Sequence, residues 1–400
     1  MHMNKKRVLV YLKENDLAPK GGPAAVCYYY NNEQIARGDN FFEFLPPSNP
    51  DAVPLSRRLE KIVLSMMPKY FRKNYDEWKS IQSLKRLLEV EPHSLPPVDF
   101  NQYDIIHFHQ TKDLFLQRNN LKDYKGKVLL QSHSPLPYGQ EYCKDMPEKI
   151  KKGVGDIERK FEELDRFAFD RADYIIFPCP EAEEPYENNW AYYQTIKNNH
   201  SGRYRYVLTG ILPCVPKRMR PDVLKELQIP QEDFVISYVG RHNSVKGYDL
   251  LKEIGAEFLK SNNDAYIIVA GKESPFKGLD HPRWKEIGWT NDAHSYISAS
   301  DVFVLPNRET YFDIVMLEVL SLGKIVVASR TGGNRFFEKE GVPGVFLYNS
   351  VEDAVRVLSN IEKMSKQERD SLGDKNREYF EKNLTVKGMY DRYIKMLETI

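Results

Sequence analysis

The chain has 400 residues, of which 41% are hydrophobic, and this is enough to form the cores of two domains of ordinary size. The formal net charge of +1 excludes a global electrostatic attraction to nucleic acid. The four cysteines have no CxxC spacing, which favours a reducing cytosol over a disulfide framework or a zinc site. No run is long and apolar enough for a membrane span, and the apolar run at the amino terminus is too short for a signal peptide.

The chain opens with a predicted strand at residues 7–12, followed by a polar loop and a helix from about Ala24. The loop ends in Gly21 and Gly22, and glycines at this place let the backbone approach a ligand closely. Gly-Gly-Pro turns are common, so the motif is a weak signal when taken alone.

A basic stretch begins at Leu55 and ends at Leu88, with Pro68 as a break. Its aromatic and aliphatic residues alternate with lysines and arginines at helical spacing. A pair of basic amphipathic helices is typical of a membrane-surface patch, whereas an ordinary pair of domain helices would place the same cations on a solvated face. Both interpretations are open. No RNA or DNA motif accompanies the charge, so we expect no nucleic-acid partner.

Two predicted strands of the first half end in histidines. The strand at residues 103–110 places His107 and His109 on one face, where they are predicted to line a core or a pocket rather than to bind metal. His133 lies at the carboxyl end of the next strand, which is the usual functional edge of a parallel sheet. Glu141 follows closely and is a second candidate polar group.

The crossing to a second domain follows a strand predicted at residues 206–212, and three prolines punctuate it. The next strand ends just before Arg241. A polar loop follows, and Lys246 and Gly247 open a helix. Two cations that leave one strand end beside a helix N-terminus predict an anion site suited to a diphosphate.

The strongest local pattern lies at residues 301–333, where strand, helix and strand form a βαβ unit ended by a Gly-Gly turn. The helix is predicted at residues 314–322, with Asp313 at the N-cap position and Gly323 as the C′ glycine. Glu318 is a carboxylate in the middle of a mostly apolar helix, so it is either solvated or directed into a cleft. Sheets of this kind bind phosphorylated ligands where the helix N-terminus opens at the strand's carboxyl end.

These motifs, in the order GR…KG…L, IIVAG, SASDVFVLP, the Glu-bearing helix and SLGKIVVAS..GG, resemble the carboxyl-terminal domain of glycosyltransferase family 4. The resemblance extends over nearly the whole chain. It implies a GT-B fold, with two Rossmann-like domains that face each other across a cleft. The domains would comprise residues 1–212 and 213–383, with the last helix, about residues 384–400, crossing back onto the first domain.

The resemblance also implies an activity. Family members are retaining, metal-independent transferases that move a hexosyl group from a nucleotide diphosphate sugar to an acceptor. We therefore expect a UDP- or GDP-linked donor, a glycan or lipid-linked acceptor and no further cofactor. Bacterial surface-polysaccharide synthesis in the cytoplasm, at the inner face of the cell membrane, is the setting expected by analogy with the family.

Roles for individual residues follow from the same resemblance. Arg241 and Lys246 neutralise the leaving diphosphate, and Glu318 accepts the ribose hydroxyls. His133 contacts the donor sugar near the reacting carbon. Trp289 lies where the chain passes near the nucleobase, so it either stacks on the base or is buried. Further donor contacts are expected from the glycine loop, from the loop before the Glu318 helix and from its first turn: Gly21, Gly22, Glu309, Thr310, Asp313, Ile314 and Val315.

The loop before Glu318 departs from the family's pattern. The family usually has Glu-x7-Glu, of which Glu318 matches the second, whereas the first falls on Thr310 and Glu309 is one residue out of register. The usual Phe-Gly reads Phe312 and Asp313. Two other classes of function therefore stay open. One is a non-catalytic GT-B subunit that binds an acceptor or a partner transferase, and the other is a different GT-B enzyme, such as a sugar-nucleotide epimerase or a phosphorylase.

Overall fold

The computed structural model describes residues 6–12, 17–19, 22–45, 66–89, 98–144, 146–199 and 201–400. Its contacts divide the chain into two compact units. Unit 1 comprises Met1–Ile176 and Tyr186–Arg205, and unit 2 comprises Phe177–Pro185 and Tyr206–Ile400. The domain boundary expected at residue 212, and the return of the last helix to the first domain, remain predictions.

Unit 1 is organised around a first sheet of six strands. In chain order these are β1 (Val8–Tyr11), β2 (Phe42–Phe44), β3 (Ile105–Phe108), β4 (Lys127–Gln131), β5 (Tyr174–Phe177) and β6 (Tyr204–Tyr206). Their order across the sheet is β2-β1-β3-β4-β5-β6, and β1 pairs in parallel with both β2 and β3. The strand order reverses between β1 and β3, and ligands of such sheets bind beside the carboxyl ends of the strands at this reversal.

The helices of the first half connect these strands. They are α1 (Gly22–Arg37), α2 (Lys69–Glu89), α3 (Thr111–Leu116), α4 (Tyr138–Lys144), α5 (Glu148–Val154), α6 (Ile157–Arg171), α7 (Glu184–Asn189) and α8 (Ala191–Asn199). The residues of β1 and β3 are buried throughout, as expected for parallel strands that are covered on both faces.

The strand predicted at residues 206–212 is wrong, because β6 ends at Tyr206. The apolar run after it pairs elsewhere: Ile211 forms a parallel bridge with Thr385, and its backbone N–H donates to the carbonyl of Leu384 at 2.9 Å. A short apolar run has the same sequence pattern whether it lies inside a sheet or forms an isolated bridge.

Unit 2 contains a second sheet of six strands, all of whose neighbouring strands run parallel. The strands are β7 (Phe234–Val239), β8 (Ala265–Ala270), β9 (Trp284–Gly288), β10 (Val302–Leu305), β11 (Ile325–Ser329) and β12 (Val345–Tyr348). Their order is β12-β11-β10-β7-β8-β9, the doubly wound order of dinucleotide-binding folds, and it reverses between β7 and β10.

The helices of unit 2 cover this sheet and close the chain. They are α9 (Arg220–Glu226), α10 (Tyr248–Ser261), α11 (Ala293–Ala299), α12 (Ile314–Ser321), α13 (Asn334–Lys339), α14 (Val351–Glu362), α15 (Lys366–Asn383) and α16 (Val386–Thr399). The predicted βαβ unit is confirmed as β10, α12 and β11. Gly323 follows the end of α12 with a φ of +65°, the left-handed backbone expected of a C′ glycine.

Candidate functional site

The predicted diphosphate site lies at the point where the strand order of the second sheet reverses. β7 and β10 are adjacent and parallel, so the loops that follow them leave the same edge. Gly247 caps α10 at this edge with a φ of +62°. A Cβ added at Gly247 would clash with the carbonyl oxygen of Pro306, directly after β10. The close approach fixes the position of the Lys246 loop against the loop that leads into α12.

Arg241 is exposed at this edge, and within the described ranges it forms no ion pair. The hydroxyl of Tyr238 donates to the Arg241 carbonyl at 3.0 Å, and this hydrogen bond anchors the Arg241 backbone. The guanidinium is therefore available to an anion while its backbone is fixed.

Lys246 forms an ion pair with Asp313, the residue that the sequence predicts at the N-cap position of α12. Its Nζ donates to Oδ2 of Asp313, which also accepts from Nδ2 of Asn307 at 2.6 Å. Burial alone would raise the pKa of Asp313, but the Lys246 ammonium and the Asn307 amide hold that pKa below its usual range. Asp313 occupies the N-cap position of α12, yet its side chain makes no capping hydrogen bond in the described structure. The N-cap position predicted from the sequence is thus confirmed.

The loop before α12 is anchored by the residue that replaces the usual first glutamate. Thr310 is buried, and its carbonyl oxygen accepts from the backbone N–H of Gly333 at 3.3 Å. Glu309 is half-buried, as are Ile314 and Val315 in the first turn of α12. The structure brings Thr310 together with the Gly-Gly turn, and the roles of all four residues in donor binding remain predictions.

Glu318 is half-buried on α12 and faces a histidine that sequence reasoning missed. Oε1 of Glu318 lies 3.6 Å from Nε2 of His294 on α11. The neighbouring Cys214 and Glu318 side chains raise the pKa of His294 to about 10. A protonated His294 forms an ion pair with the Glu318 carboxylate, at a distance too long for a good hydrogen bond. No local motif marks His294, because the contact joins two helices that are distant in the sequence.

His294→Gln is expected to make stability less dependent on pH. The pKa of His294 is raised in the folded chain, so its stabilisation is fully present below about pH 6.5 and is lost as the pH rises toward 10. The side chain is 36% exposed, and after allowance for solvent screening we expect a difference of about 1 kcal/mol in the free energy of unfolding at pH 6. Urea unfolding of the wild type and of His294→Gln from pH 6 to 10 measures this difference in the free energy of unfolding.

The control for this comparison is the same substitution in a Glu318→Gln background, where the change with pH should be smaller. A wild-type minus His294→Gln difference that stays constant from pH 6 to 10 would show that the two side chains are not coupled.

A separate pocket of about 240 Å³ lies in unit 1 at the carboxyl ends of β3 and β4. It brings His133 together with Glu141, the candidate that follows it in sequence. The other lining residues come from the starts of α1, α3 and α4 and from the loops after β3 and β4: Pro23, His109, Gln110, Thr111, Ser132, Ser134 and Tyr138. Gly22 is the first residue of α1, next to Pro23, whereas Gly21 lies outside the described residues.

The histidines of this pocket are uncharged near neutral pH. Nδ1 of His109 lies 2.9 Å from Nε2 of His133, at hydrogen-bond distance. Burial lowers the pKa of His133 to about 4 and that of His109 well below its usual value. His107 is fully buried, with its ring centroid 4.1 Å from that of His109, as the interpretation of core or pocket-lining histidines requires. His133 can therefore offer a hydrogen bond to a ligand but not a positive charge.

Two aromatic features on the surface bear on the remaining predictions. Trp289 follows β9 and is 77% exposed, so the alternative of a buried tryptophan is wrong.

In the basic stretch, residues 66–89 are described, and 55–65 lie outside the described residues. Helix α2 buries Leu84 and Leu88, while Phe71 and Trp78 are 62% and 55% exposed. None of the helices in the described ranges is long and apolar enough to cross a membrane.

Comparison with known proteins found a family model that matches part of the second half of the chain, and several distant relatives. Residues 219–379, which include Arg241, Lys246 and Glu318, match the family model for glycosyl transferases group 1. An uncharacterised 41.2 kDa protein in the cps region of Klebsiella pneumoniae is 23% identical over 329 residues, which cover 80% of this chain and 85% of the relative. The lipopolysaccharide 1,2-N-acetylglucosaminetransferase of Salmonella typhimurium is 26% identical over 40% of this chain and 47% of its own.

Solved structures show the fold. The sucrose-phosphate synthase of Thermosynechococcus elongatus superimposes with a TM-score of 0.64 at 16% identity, covering 98% of both chains. Anabaena HepE in complex with UDP-glucose gives a TM-score of 0.59 at 15% identity, covering 99% of this chain and 100% of the other. With the two parallel six-stranded sheets, these likenesses confirm the predicted GT-B fold of two Rossmann-like domains. The family model and these structures support a GT-B glycosyltransferase, and membership of family 4 remains a prediction.

Proposed function

We propose that the chain is a retaining glycosyltransferase that moves a hexosyl group from a nucleotide diphosphate sugar to a glycan or lipid-linked acceptor. The observation that carries the proposal is the edge of the second sheet. There the exposed Arg241, Lys246 and the first turn of α12 meet where the strand order reverses, inside the segment that matches the group 1 transferases. Such an edge, with a helix N-terminus and cations, is suited to a diphosphate.

In the proposed mechanism unit 2 stabilises the leaving nucleotide. Arg241 meets the negative charge that develops on the diphosphate as the glycosidic bond breaks. The backbone N–H groups of Ile314 and Val315 add the positive end of the α12 dipole. Glu318, which is paired with His294, accepts the ribose hydroxyls. No metal and no further cofactor takes part in the proposed transfer.

His133 is assigned to the donor sugar. Because burial keeps its imidazole uncharged, we infer that it holds a sugar hydroxyl rather than facing the oxocarbenium-like carbon with a charge. The proposal contains no carboxylate nucleophile, so the acceptor attacks from the face that the nucleotide leaves. This attack gives the retained configuration.

The proposed donor is a UDP-sugar. HepE, a structural neighbour, was solved with UDP-glucose, and Trp289 is free to stack on a base. The relative from a cps region and the lipopolysaccharide transferase favour an acceptor in bacterial surface-polysaccharide synthesis. We place this activity in the cytoplasm, at the inner face of the cell membrane.

A thermal-shift screen of the full chain against UDP, GDP, ADP and their common sugar conjugates tests the proposal. A ligand that binds only the folded state raises the melting temperature. A shift with one nucleotide, lost in Arg241→Ala, followed by acceptor-dependent release of that nucleotide, is the expected result. No shift with any of them would reject the transferase.

The buried Thr310 favours a second candidate, a non-catalytic GT-B subunit that binds an acceptor or a partner transferase. In this candidate the loop that usually contacts the donor sugar serves only to hold the Gly-Gly turn. The two candidates differ in nucleotide release, which the subunit would not catalyse with any donor. A sugar-nucleotide epimerase would instead convert the donor without an acceptor.

Asp313→Asn is expected to strengthen UDP binding while weakening the unliganded fold. The substitution leaves the half-buried Lys246 without its anion, which we expect to cost about 1–3 kcal/mol of stability. The freed ammonium then meets the diphosphate, so the dissociation constant of UDP should fall by about three- to tenfold. Thermal melts and calorimetric titration with UDP measure the two effects.

The matched control is Asp353→Asn, which removes an ion pair with Arg356 on the surface of α14. It should leave UDP binding unchanged. Weaker UDP binding in Asp313→Asn would mean that the carboxylate positions Lys246 for the donor instead of competing with it.

Helix α2 carries the membrane part of the proposal. Its exposed Phe71 and Trp78 stand among basic residues, a composition suited to an anionic lipid surface. Co-flotation with vesicles that contain an anionic phospholipid is expected, and Phe71→Ala with Trp78→Ala should reduce it. Trp289→Ala, which removes an exposed tryptophan elsewhere, is the control. Equal flotation of all variants would assign the basic residues to an ordinary solvated face.

A further inference from the structure

Unit 2 contains a cluster of one histidine and two glutamates that the proposed transfer does not use. His242 directly follows Arg241, Glu273 lies in the loop after β8, and Glu286 lies in β9. One nitrogen or oxygen atom from each of the three side chains lies within 4.8 Å of the other two. Among the described residues, this is the group of histidine, cysteine and carboxylate side chains whose spacing suits a metal ion.

The buried part of this cluster lacks hydrogen-bond partners. His242 has no exposed surface, yet neither ring nitrogen has a partner in the described part of the chain, and Oε1 of Glu286 is likewise buried and unpartnered. Buried polar groups are normally satisfied, because leaving one unpaired costs about 1–3 kcal/mol. A bound cation would satisfy both side chains at once.

The distances and supports match a metal site. Nε2 of His242 lies 3.4 Å from Oε1 of Glu286, which is too long for a good hydrogen bond. It equals the edge of about 3.4 Å in a tetrahedron with metal–ligand bonds of about 2.1 Å. The imidazole is stacked on Tyr248, with centroids 3.8 Å apart and planes 7° apart. The ring is therefore fixed in orientation.

Hydrogen bonds also orient the Glu286 carboxylate. Oε2 of Glu286 accepts from Nε1 of Trp284 at 2.9 Å and from the hydroxyl of Tyr248 at 3.0 Å, which leaves Oε1 directed at His242. Metal ligands are typically supported by such outer contacts. Glu273 accepts from the backbone N–H of Gly278 at 3.0 Å and is exposed, so an ion has a path from solvent.

We propose that His242, Glu273 and Glu286 bind one divalent transition-metal ion, with Zn²⁺ as the best chemical fit. An imidazole with two carboxylates is a donor set of zinc sites, whereas Ca²⁺ and Mg²⁺ prefer oxygen ligands alone. Two carboxylates and a divalent cation sum to zero charge, which suits a half-buried place. The ion ties the loop that contains Arg241 to the loop after β8 and to β9. No step of the proposed transfer passes through it.

Titration of the chelator-treated full chain with Zn²⁺ alone tests the site, independently of any nucleotide. We expect calorimetry to show one equivalent bound at this cluster, a higher melting temperature with Zn²⁺, and a Co²⁺ absorption spectrum of low coordination number. Glu273→Gln changes an exposed loop residue, so it should fold normally, and it should weaken that Zn²⁺ binding by at least about tenfold. Glu286→Gln should do the same.

His281→Gln is the matched control, because His281 lies between β8 and β9 outside the cluster and should not affect Zn²⁺ binding. The proposal is overturned if the wild type binds no Zn²⁺, or if Glu273→Gln and Glu286→Gln bind it as tightly as the wild type does. Loss of binding in His281→Gln alone would place the ion elsewhere and overturn it equally.

Discussion

Arg241→Ala is expected to lower kcat/KM for the nucleotide sugar by about 10²–10³, which corresponds to about 3–4 kcal/mol of transition-state stabilisation. Arg241 lies exposed at the edge of the second sheet, and its backbone is anchored by Tyr238. Lys246 at the same edge is already neutralised by Asp313, so Arg241 provides the cation that is available at once to the leaving diphosphate. Initial rates of nucleotide release measure the loss.

Two comparisons make this result specific. Arg241→Lys keeps a positive charge but loses the planar fork, so its rate should lie between those of the wild type and Arg241→Ala. Arg356→Ala removes an arginine from the exposed surface of α14 and should leave the rate unchanged. Unchanged turnover in Arg241→Ala would make the diphosphate assignment wrong, and an equal loss in Arg356→Ala would point to a general effect on the fold.

The sequence predicted those elements whose signals are local. The β10–α12–β11 unit was predicted because apolar strands, a capped helix and a C′ glycine all fall within residues 301–333. Arg241 and Lys246 were recognised because both follow one buried strand. Their placement at the reversal of strand order also follows, since parallel strands end at one edge.

The contacts of these side chains could not be predicted from the sequence. Asp313 occupies the predicted cap position and also pairs with Lys246, an ammonium distant in the sequence that no local pattern reports. His294 is separated from Glu318 by a whole strand and loop, and no periodicity reports such a pair. The uncharged state of His133 likewise depends on burial and on His109, which only the folded sheet supplies.

Gly247→Ala is expected to be the most destabilising single substitution considered for unit 2. Gly247 has a φ of +62°, where an L-residue is strained by about 1–2 kcal/mol, and the added Cβ would also clash with the Pro306 carbonyl oxygen. We expect a loss of more than about 3 kcal/mol, since backbone at the end of a buried strand cannot move aside cheaply. Urea unfolding measures the change.

Gly341→Ala isolates the contribution of this close approach. Gly341 has nearly the same backbone, with a φ of +64°, but open space where the Cβ would lie, so only the backbone strain of about 1–2 kcal/mol should remain. If the two substitutions cost the same, the approach of Gly247 to Pro306 is not what joins the loops. If Gly247→Ala costs more and also weakens UDP binding, while Gly341→Ala does not, then the same contact that stabilises the sheet edge holds Lys246 and the first turn of α12 in one anion site. The position of the cations is then set by backbone packing between β7 and β10, which explains how a site with few charged residues can be preformed before a ligand arrives.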